Sequence, residues 1–208
     1  MLELSDTGTI IFMKLPGNKA LFAISILAGT LAIVGMAAYS RLDTAKSAAP
    51  ADEKKMAPAT HHLHGQIQVT EQITPESIAA LKQQGIQNII AMRPDGEAPN
   101  QASAATIEKN ALAAGMKFTY IPIPHGDIPD ASVTALQQAL EKNQGPVLLY
   151  CRSGSRAART WSLVEASRAG GMDAATIMSA VKSAGLKADD LEGLIQKRIA
   201  ARGEGGKS

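Results

Sequence analysis

Cys151 is the only cysteine in the chain, and the residues that follow it are suited to holding an anion. The stretch Pro146 to Arg156 reads P-V-L-L-Y-C-R-S-G-S-R. Val147, Leu148 and Leu149 form an apolar run after a Gly-Pro break, as a buried strand does. From Arg156 onward A-A-R-T-W-S-L-V-E-A has helical character. The order strand, small-residue loop, helix predicts that the amides of Arg152, Ser153, Gly154 and Ser155 turn inward at the positive end of a helix dipole. A thiolate or a tetrahedral oxyanion is stabilised in such a nest. Arg156 adds a planar, two-pronged donor for the same anion. Cys151 at the floor of the nest is then a nucleophile, because the thiolate is the form that attacks. The bland alternative is a packed, inert cysteine beside a strand. Two arginines and a Gly-Ser turn directly after the strand are poor core material, which favours the reactive thiol.

Alternating elements must position this loop. Ile67 and Val69 alternate with polar neighbours as a short strand does. Thr74 is an expected N-cap, with Pro75 the first residue of a helix that Gly85 closes. Residues 86–92 are a buried strand, Ser103 to Ala114 a helix, and Lys117 to Ile123 a strand whose exit or sheet edge is marked by Pro122 and Pro124. Ser132 to Lys142 is a helix capped by Asp130. Arg156 to Ala169 is the helix behind the loop. Asp173 caps a helix running to Ala184, and Asp189 with Glu192 forms a capping box for a last one. Strands alternating with helices predict an α/β fold with a mostly parallel sheet covered on both faces. Active crevices of such sheets lie at the carboxyl ends of the strands. Three loops therefore converge: Arg93 to Glu97, Pro124 to Asp130, and the Cys151 loop. Asp127 is the candidate general acid because it stands clear of the next helix. His125 is an acid, a base or a bystander. Arg93 is either a second anion contact or one half of a salt bridge joining the loops. Arg152 is a candidate substrate contact, and Trp161 a packing residue.

Four ordered blocks carry a family resemblance: Q-I-Q-V from Gln66, R-P-D-G-E from Arg93, P-I-P-H-G-D-I-P-D from Pro122, and Y-C-R-S-G-S-R-A-A from Tyr150. Together they resemble the DUF442 family, the phosphatase-like domain of beta-lactamase-hydrolase-like proteins, also described as a sulfur transferase family. The resemblance covers roughly residues 63–170. It implies a fold like that of tyrosine and dual-specificity phosphatases. It carries over the nucleophile role to Cys151 and the anion-binding role to Arg156. Tyr150 stands where such phosphatases commonly have histidine, and Ala157 where they have a hydroxyl residue.

Four residues separate Cys151 from Arg156, as in a rhodanese-like loop, where a tyrosine-phosphatase loop has five. That spacing makes a sulfurtransferase, carrying sulfane sulfur as a persulfide on Cys151, the leading expectation. Its partners would be a small anionic or sulfane-sulfur substrate and a thiol acceptor or membrane-bound sulfide-oxidising protein. The alternative is a phosphatase acting through a cysteinyl-phosphate, with Asp127 protonating the leaving group. A membrane-tethered anion-binding module without catalysis is the third possibility. No cofactor and no metal is expected: His61, His62 and His64 lie close together, but no Cys or Asp/Glu cluster accompanies them at zinc spacing.

Residues 20–39 contain no charged side chain, and about 20 apolar residues span a bilayer core. They predict one transmembrane helix, a signal anchor in a bacterial inner membrane, with the following domain in the periplasm. A cleaved signal peptide is the rival. Residues 1–19 are then a tail, 40–62 an Ala/Pro linker, 63–170 the phosphatase-like domain, 171–200 a helical extension and 201–208 a disordered tail. A net charge of +2 and 3% aromatic residues make no case for nucleic-acid binding.

Overall fold

The computed structural model describes residues 10–13, 22–25 and 58–204. Two units are distinguished, residues 1–48 and 49–208. In the first, β1 (Ile10–Met13) pairs antiparallel with β2 (Phe22–Ser25), Met13 opposite Phe22. Phe22–Ser25 falls inside the stretch expected to be a membrane helix and is extended; the remainder of 20–39 lies outside the described residues. An unbroken apolar run suits a strand as well as a helix when its periodicity is not decisive. Among the described residues no helix is long and apolar enough to cross a membrane. The 40–62 linker lies outside the described residues as far as residue 57, and the tail does so from residue 205.

The second unit is built on a five-stranded sheet in the order β3-β4-β7-β5-β6. Its strands are β3 (His61–His64), β4 (Ile67–Thr70), β5 (Asn88–Ala91), β6 (Lys117–Tyr120) and β7 (Val147–Tyr150). β4, β7, β5 and β6 run parallel; β3 is an antiparallel edge strand joined to β4 by a hairpin at Gly65. The histidine run thus belongs to the sheet, and the folded unit starts before Gly65. Leu63 is its buried member, while His62 Nε2 contacts the Gly65 carbonyl at 2.9 Å.

Period-two alternation along β7 divides the core. Val147, Leu149 and Cys151 face one apolar cluster, and Leu148 and Tyr150 face the other. Leu148 and Leu149 are fully buried, each worth about 1.5–3 kcal/mol of transfer free energy. Helices α1 (Ser77–Gln83) and α2 (Ala104–Ala113) contribute Ile78, Leu81, Ile107 and Ala111 to the Tyr150 side. Helices α3 (Asp130–Lys142), α4 (Ser155–Ser167), α5 (Ala174–Ser183) and α6 (Glu192–Glu204) cover the Cys151 side. Both faces of the sheet are covered, as the alternation of elements implies.

Helix starts differ from expectation where a turn or a tertiary partner takes over. Thr74 and Pro75 lie in a turn, with the Ser77 hydroxyl and amide both bonded to the Thr74 carbonyl, and α1 begins at Ser77. Asp130 does not cap α3: Pro129 occupies the cap position, and the Asp130 carboxylate pairs with Arg198 of α6. Residues 189–191 form a 3-10 turn leading into α6, with Ala188 at the cap position of that turn, and among the described residues the Asp189 side chain makes no hydrogen bond. Ser103 and Asp173 do cap α2 and α5, accepting from Thr106 N and Thr176 N.

Candidate active site

Cys151 follows β7 directly, and its side chain is buried with 1% exposure. Four more residues bring the chain to Arg156, already inside α4. Gly154 makes the turn possible. It caps α4 at φ 84°, and a Cβ there would meet the Thr70 carbonyl and the Val69 side chain at ordinary contact distance, 3.4 Å. The requirement for glycine comes from the left-handed backbone, which other residues take only with strain. The amides of residues 152–156 donate to no backbone carbonyl among the described residues. Arg152, Ser153 and Ser155 also make no side-chain hydrogen bond there. The loop therefore offers a set of uncommitted donors at a helix start.

A cleft of about 510 Å³ opens above this loop. Cys151, Arg152, Ser153, Ser155 and Arg156 form its floor, and His125 with Gly126 and Ile128 form one side. Buried hydroxyls in α4 bond backward to the preceding turn, for example Thr160 Oγ1 to the Arg156 carbonyl at 2.8 Å, so the helix carries polar residues without orphaning them.

The three loops expected to converge do so through Arg156. Its Nη1 donates to the Ile123 carbonyl at 2.7 Å, joining it to the segment that leads from β6 into the 124–130 loop. Its Nη2 contacts Glu97 Oε1 at 2.9 Å, joining it to the loop after β5. The other Glu97 oxygen accepts from Arg93 Nε at 3.0 Å, and Arg93 Nη1 donates to Gln72 Oε1 at 3.1 Å. The ion pair of Arg93 thus lies within its own loop, and its link to another loop is the hydrogen bond to Gln72 after β4. Arg93 is 6% exposed and does not line the cleft. Burial pushes the Glu97 carboxyl up, but the hydrogen bonds and charges of Arg93 and Arg156 outweigh it and hold the group below the usual carboxylate range.

Asp127 is exposed, makes no hydrogen bond or ion pair among the described residues, and is not one of the residues lining the cleft, although Gly126 and Ile128 on either side are. His125 lines the cleft and is exposed. Tyr150 points to the opposite face from Cys151. Burial, then the nearby Asp95 charge, hold its phenol far above the ordinary range, so it stays protonated and serves as no base. Trp161 is fully buried, as expected of a packing residue.

Two contributors escape inspection of the sequence. Glu97 lies within the R-P-D-G-E block, and its spacing of four from Arg93 was the available signal. Arg159 lines the cleft one helical turn beyond Arg156. It pairs with both oxygens of Asp190, at 2.5 and 2.7 Å, and so brings the C-terminal segment to the rim.

Residues 60–169 match the family described as beta-lactamase hydrolase-like protein, phosphatase-like domain. The chain belongs to this family. It carries a cysteine-based, phosphatase-like catalytic domain in an α/β fold of the tyrosine and dual-specificity phosphatase type. The beta-lactamase hydrolase-like protein of Agrobacterium fabrum is 39% identical over 87 residues, 42% of this chain and 20% of that one. The chain thus spans only a fifth of that relative's length. The crystal structure of a Neisseria meningitidis protein described as a "putative phosphatase" is similar at a TM-score of 0.60 and 28% identity, over 66% of this chain and 96% of that one. A DUF442 protein of Shewanella putrefaciens, at a TM-score of 0.55 and 19% identity over 74% and 98% of the two chains, shares the fold. The match to the phosphatase-like family ends at residue 169, before α5 and α6, which pack on α4 within the same unit.

Proposed function

We propose that the domain is a cysteine-dependent phosphomonoester hydrolase. The observation that carries this is the Cys151 thiol at the floor of a cleft rimmed by uncommitted loop amides, with Arg156 held in place from two sides. Such donors fit the oxygens of a phosphoryl group, whose charge spreads outward as the transition state forms. In the first step Cys151 Sγ attacks phosphorus, the P–O bond to the leaving group breaks, and an acid of the 124–130 loop, His125 in the cleft lining or Asp127 two positions on, gives that oxygen its proton. In the second, water attacks the cysteinyl-phosphate, the P–S bond breaks, the thiolate is restored and the same group takes the water's proton. The test is release of inorganic phosphate from an aryl phosphate by wild type and Cys151→Ser. Turnover that survives the substitution would remove the thiol from the reaction.

Sulfur transfer is the second reading, favoured by the four-residue spacing between Cys151 and Arg156. There Cys151 Sγ attacks a sulfane sulfur, the donor leaves as its anion, and the outer sulfur of the persulfide passes to a thiol acceptor. It needs no general acid. A third element of the proposal concerns location. Residues 20–39 carry no charged side chain, and we read this stretch, in which Phe22–Ser25 is extended, as a membrane tether for the catalytic unit.

A further inference from the structure

Arg156 is committed to the loops around it, but two other arginines in the cleft are not. Arg152 is exposed and has no hydrogen bond or ion pair among the described residues. Arg159 is 27% exposed, and its partner Asp190 is 62% exposed and stands outside the cleft lining. Among the described residues no carboxylate lines the cleft, whereas three arginines do. The loop amides and Arg156 are enough donors for one phosphoryl group. Arg152 and Arg159 therefore exceed what the scissile group needs.

We propose that Arg152 and Arg159 form a second anion subsite, so that the substrate is a phosphomonoester bearing a further phosphate or carboxylate group near the scissile one. This rests on the phosphatase reading. Asp190 holds the Arg159 guanidinium extended at the rim, and the substrate's second anion takes the carboxylate's place. That exchange replaces one bidentate anion with another on the same guanidinium, and the released Asp190, 62% exposed, is taken up by water. Asp190 lies beyond the residues matched to the phosphatase-like family, so the C-terminal segment would set how strongly this chain prefers doubly anionic substrates.

The experiment uses the full chain and measures protection of Cys151 from iodoacetamide by inorganic phosphate, pyrophosphate and phosphonoacetate. It needs no turnover, so failure of the subsite and failure of the phosphatase reading are separable. The expected result is half-protection by pyrophosphate at a concentration at least about tenfold below that for phosphate. Arg159→Gln and Arg152→Gln should each shrink that ratio, while Asp190→Asn, which frees Arg159, should enlarge it by about twofold to fivefold. Phosphonoacetate protecting as well as pyrophosphate assigns the subsite to any anion; weaker protection assigns it to phosphoryl groups. If Arg159 merely braces the C-terminal segment, Arg159→Gln and Asp190→Asn will move the ratio in the same direction or not at all. Either result overturns the proposal, as does equal protection of the wild type by phosphate and pyrophosphate.

Discussion

Glu97 fixes the direction in which Arg156 points. Its carboxylate bridges Arg93 and Arg156, so removing its charge should let the Arg156 guanidinium drift without touching the nest. Glu97→Gln is expected to lower kcat/KM roughly tenfold to a hundredfold at neutral pH, the usual effect of a small misplacement. Because the folded-state carboxyl is held low, the ion pair is fully present above the ordinary carboxylate range and is lost as pH falls through that lowered value. The gap between wild type and variant should accordingly persist down through mildly acid pH and close only below it; superimposable pH profiles would remove Glu97 from the account. Asp127 and His125 compete for the proton-donor role. Asp127→Asn should cost about 10²–10⁴-fold on a substrate with a poor leaving group and much less on an activated aryl phosphate. If His125→Asn shows that pattern instead, the donor is the histidine. At this scale the placing of Cys151 and Arg156 in one cleft was legible because strand, loop and arginine are contiguous in the chain. Glu97, Arg159 and Asp190 were not, because their roles depend on contacts across the fold, 31 positions apart for the last pair.

The element that shapes the nest is the β7-loop-α4 unit, and Gly154 is its most exacting position. Gly154→Ala puts a side chain in the left-handed region and against the Thr70 carbonyl, with Leu186 of the C-terminal segment at 3.6 Å. We expect a stability loss of about 1–2 kcal/mol, read by denaturant unfolding, and a larger fall in turnover than in stability because the loop amides turn with the backbone. Unchanged turnover would mean that the amides do not hold the substrate. Gly171 follows a different logic. Its Cβ would run into the Glu165 carbonyl, where Arg202 of α6 reaches in to donate at 2.6 Å and closes the end of α4. The elements themselves were legible from periodicity, Gly breaks and the caps Ser103 and Asp173. The ends were less so. Asp130 has the chemistry of a cap but is drawn to Arg198, and Thr74-Pro75 forms a turn before the helix starts. Local propensity loses in such places to a tertiary partner.

At the scale of the molecule, β4 is central and not a terminal ornament. It sits between β3 and β7 and pairs with the strand that carries Cys151, and Thr70 Oγ1 also donates to the Ala59 carbonyl at 2.8 Å. A fragment starting at residue 58 should fold and retain turnover, whereas one starting at residue 69 should lose β3 and half of β4 and unfold. Soluble yield and thermal unfolding distinguish them. Turnover lost in a folded 58–208 fragment would contradict the tether reading and make the N-terminal segment part of the site. A fragment ending at residue 170 keeps every residue matched to the family but strips α5 and α6 from α4. It should be markedly destabilised, since Ile177, Val181 and Ile195 are buried in the same cluster as Cys151. The composition showed a helical extension there. It did not show that the extension completes the core and that Asp190 pairs with the cleft residue Arg159, because the amphipathic faces of α5 and α6 do not name their partner.

The central claim is that Cys151 carries a phosphoryl group. The most direct measurement is intact mass of the rapidly quenched full-length protein after exposure to a phosphomonoester and, separately, to sulfane-sulfur donors, with Cys151→Ser as the control. The account predicts a phosphoryl adduct on Cys151 that is absent from the variant and decays to free thiol with release of phosphate. A single added sulfur with the sulfane donors, and no phosphoryl adduct with any ester, would contradict it and assign the nest to sulfur transfer.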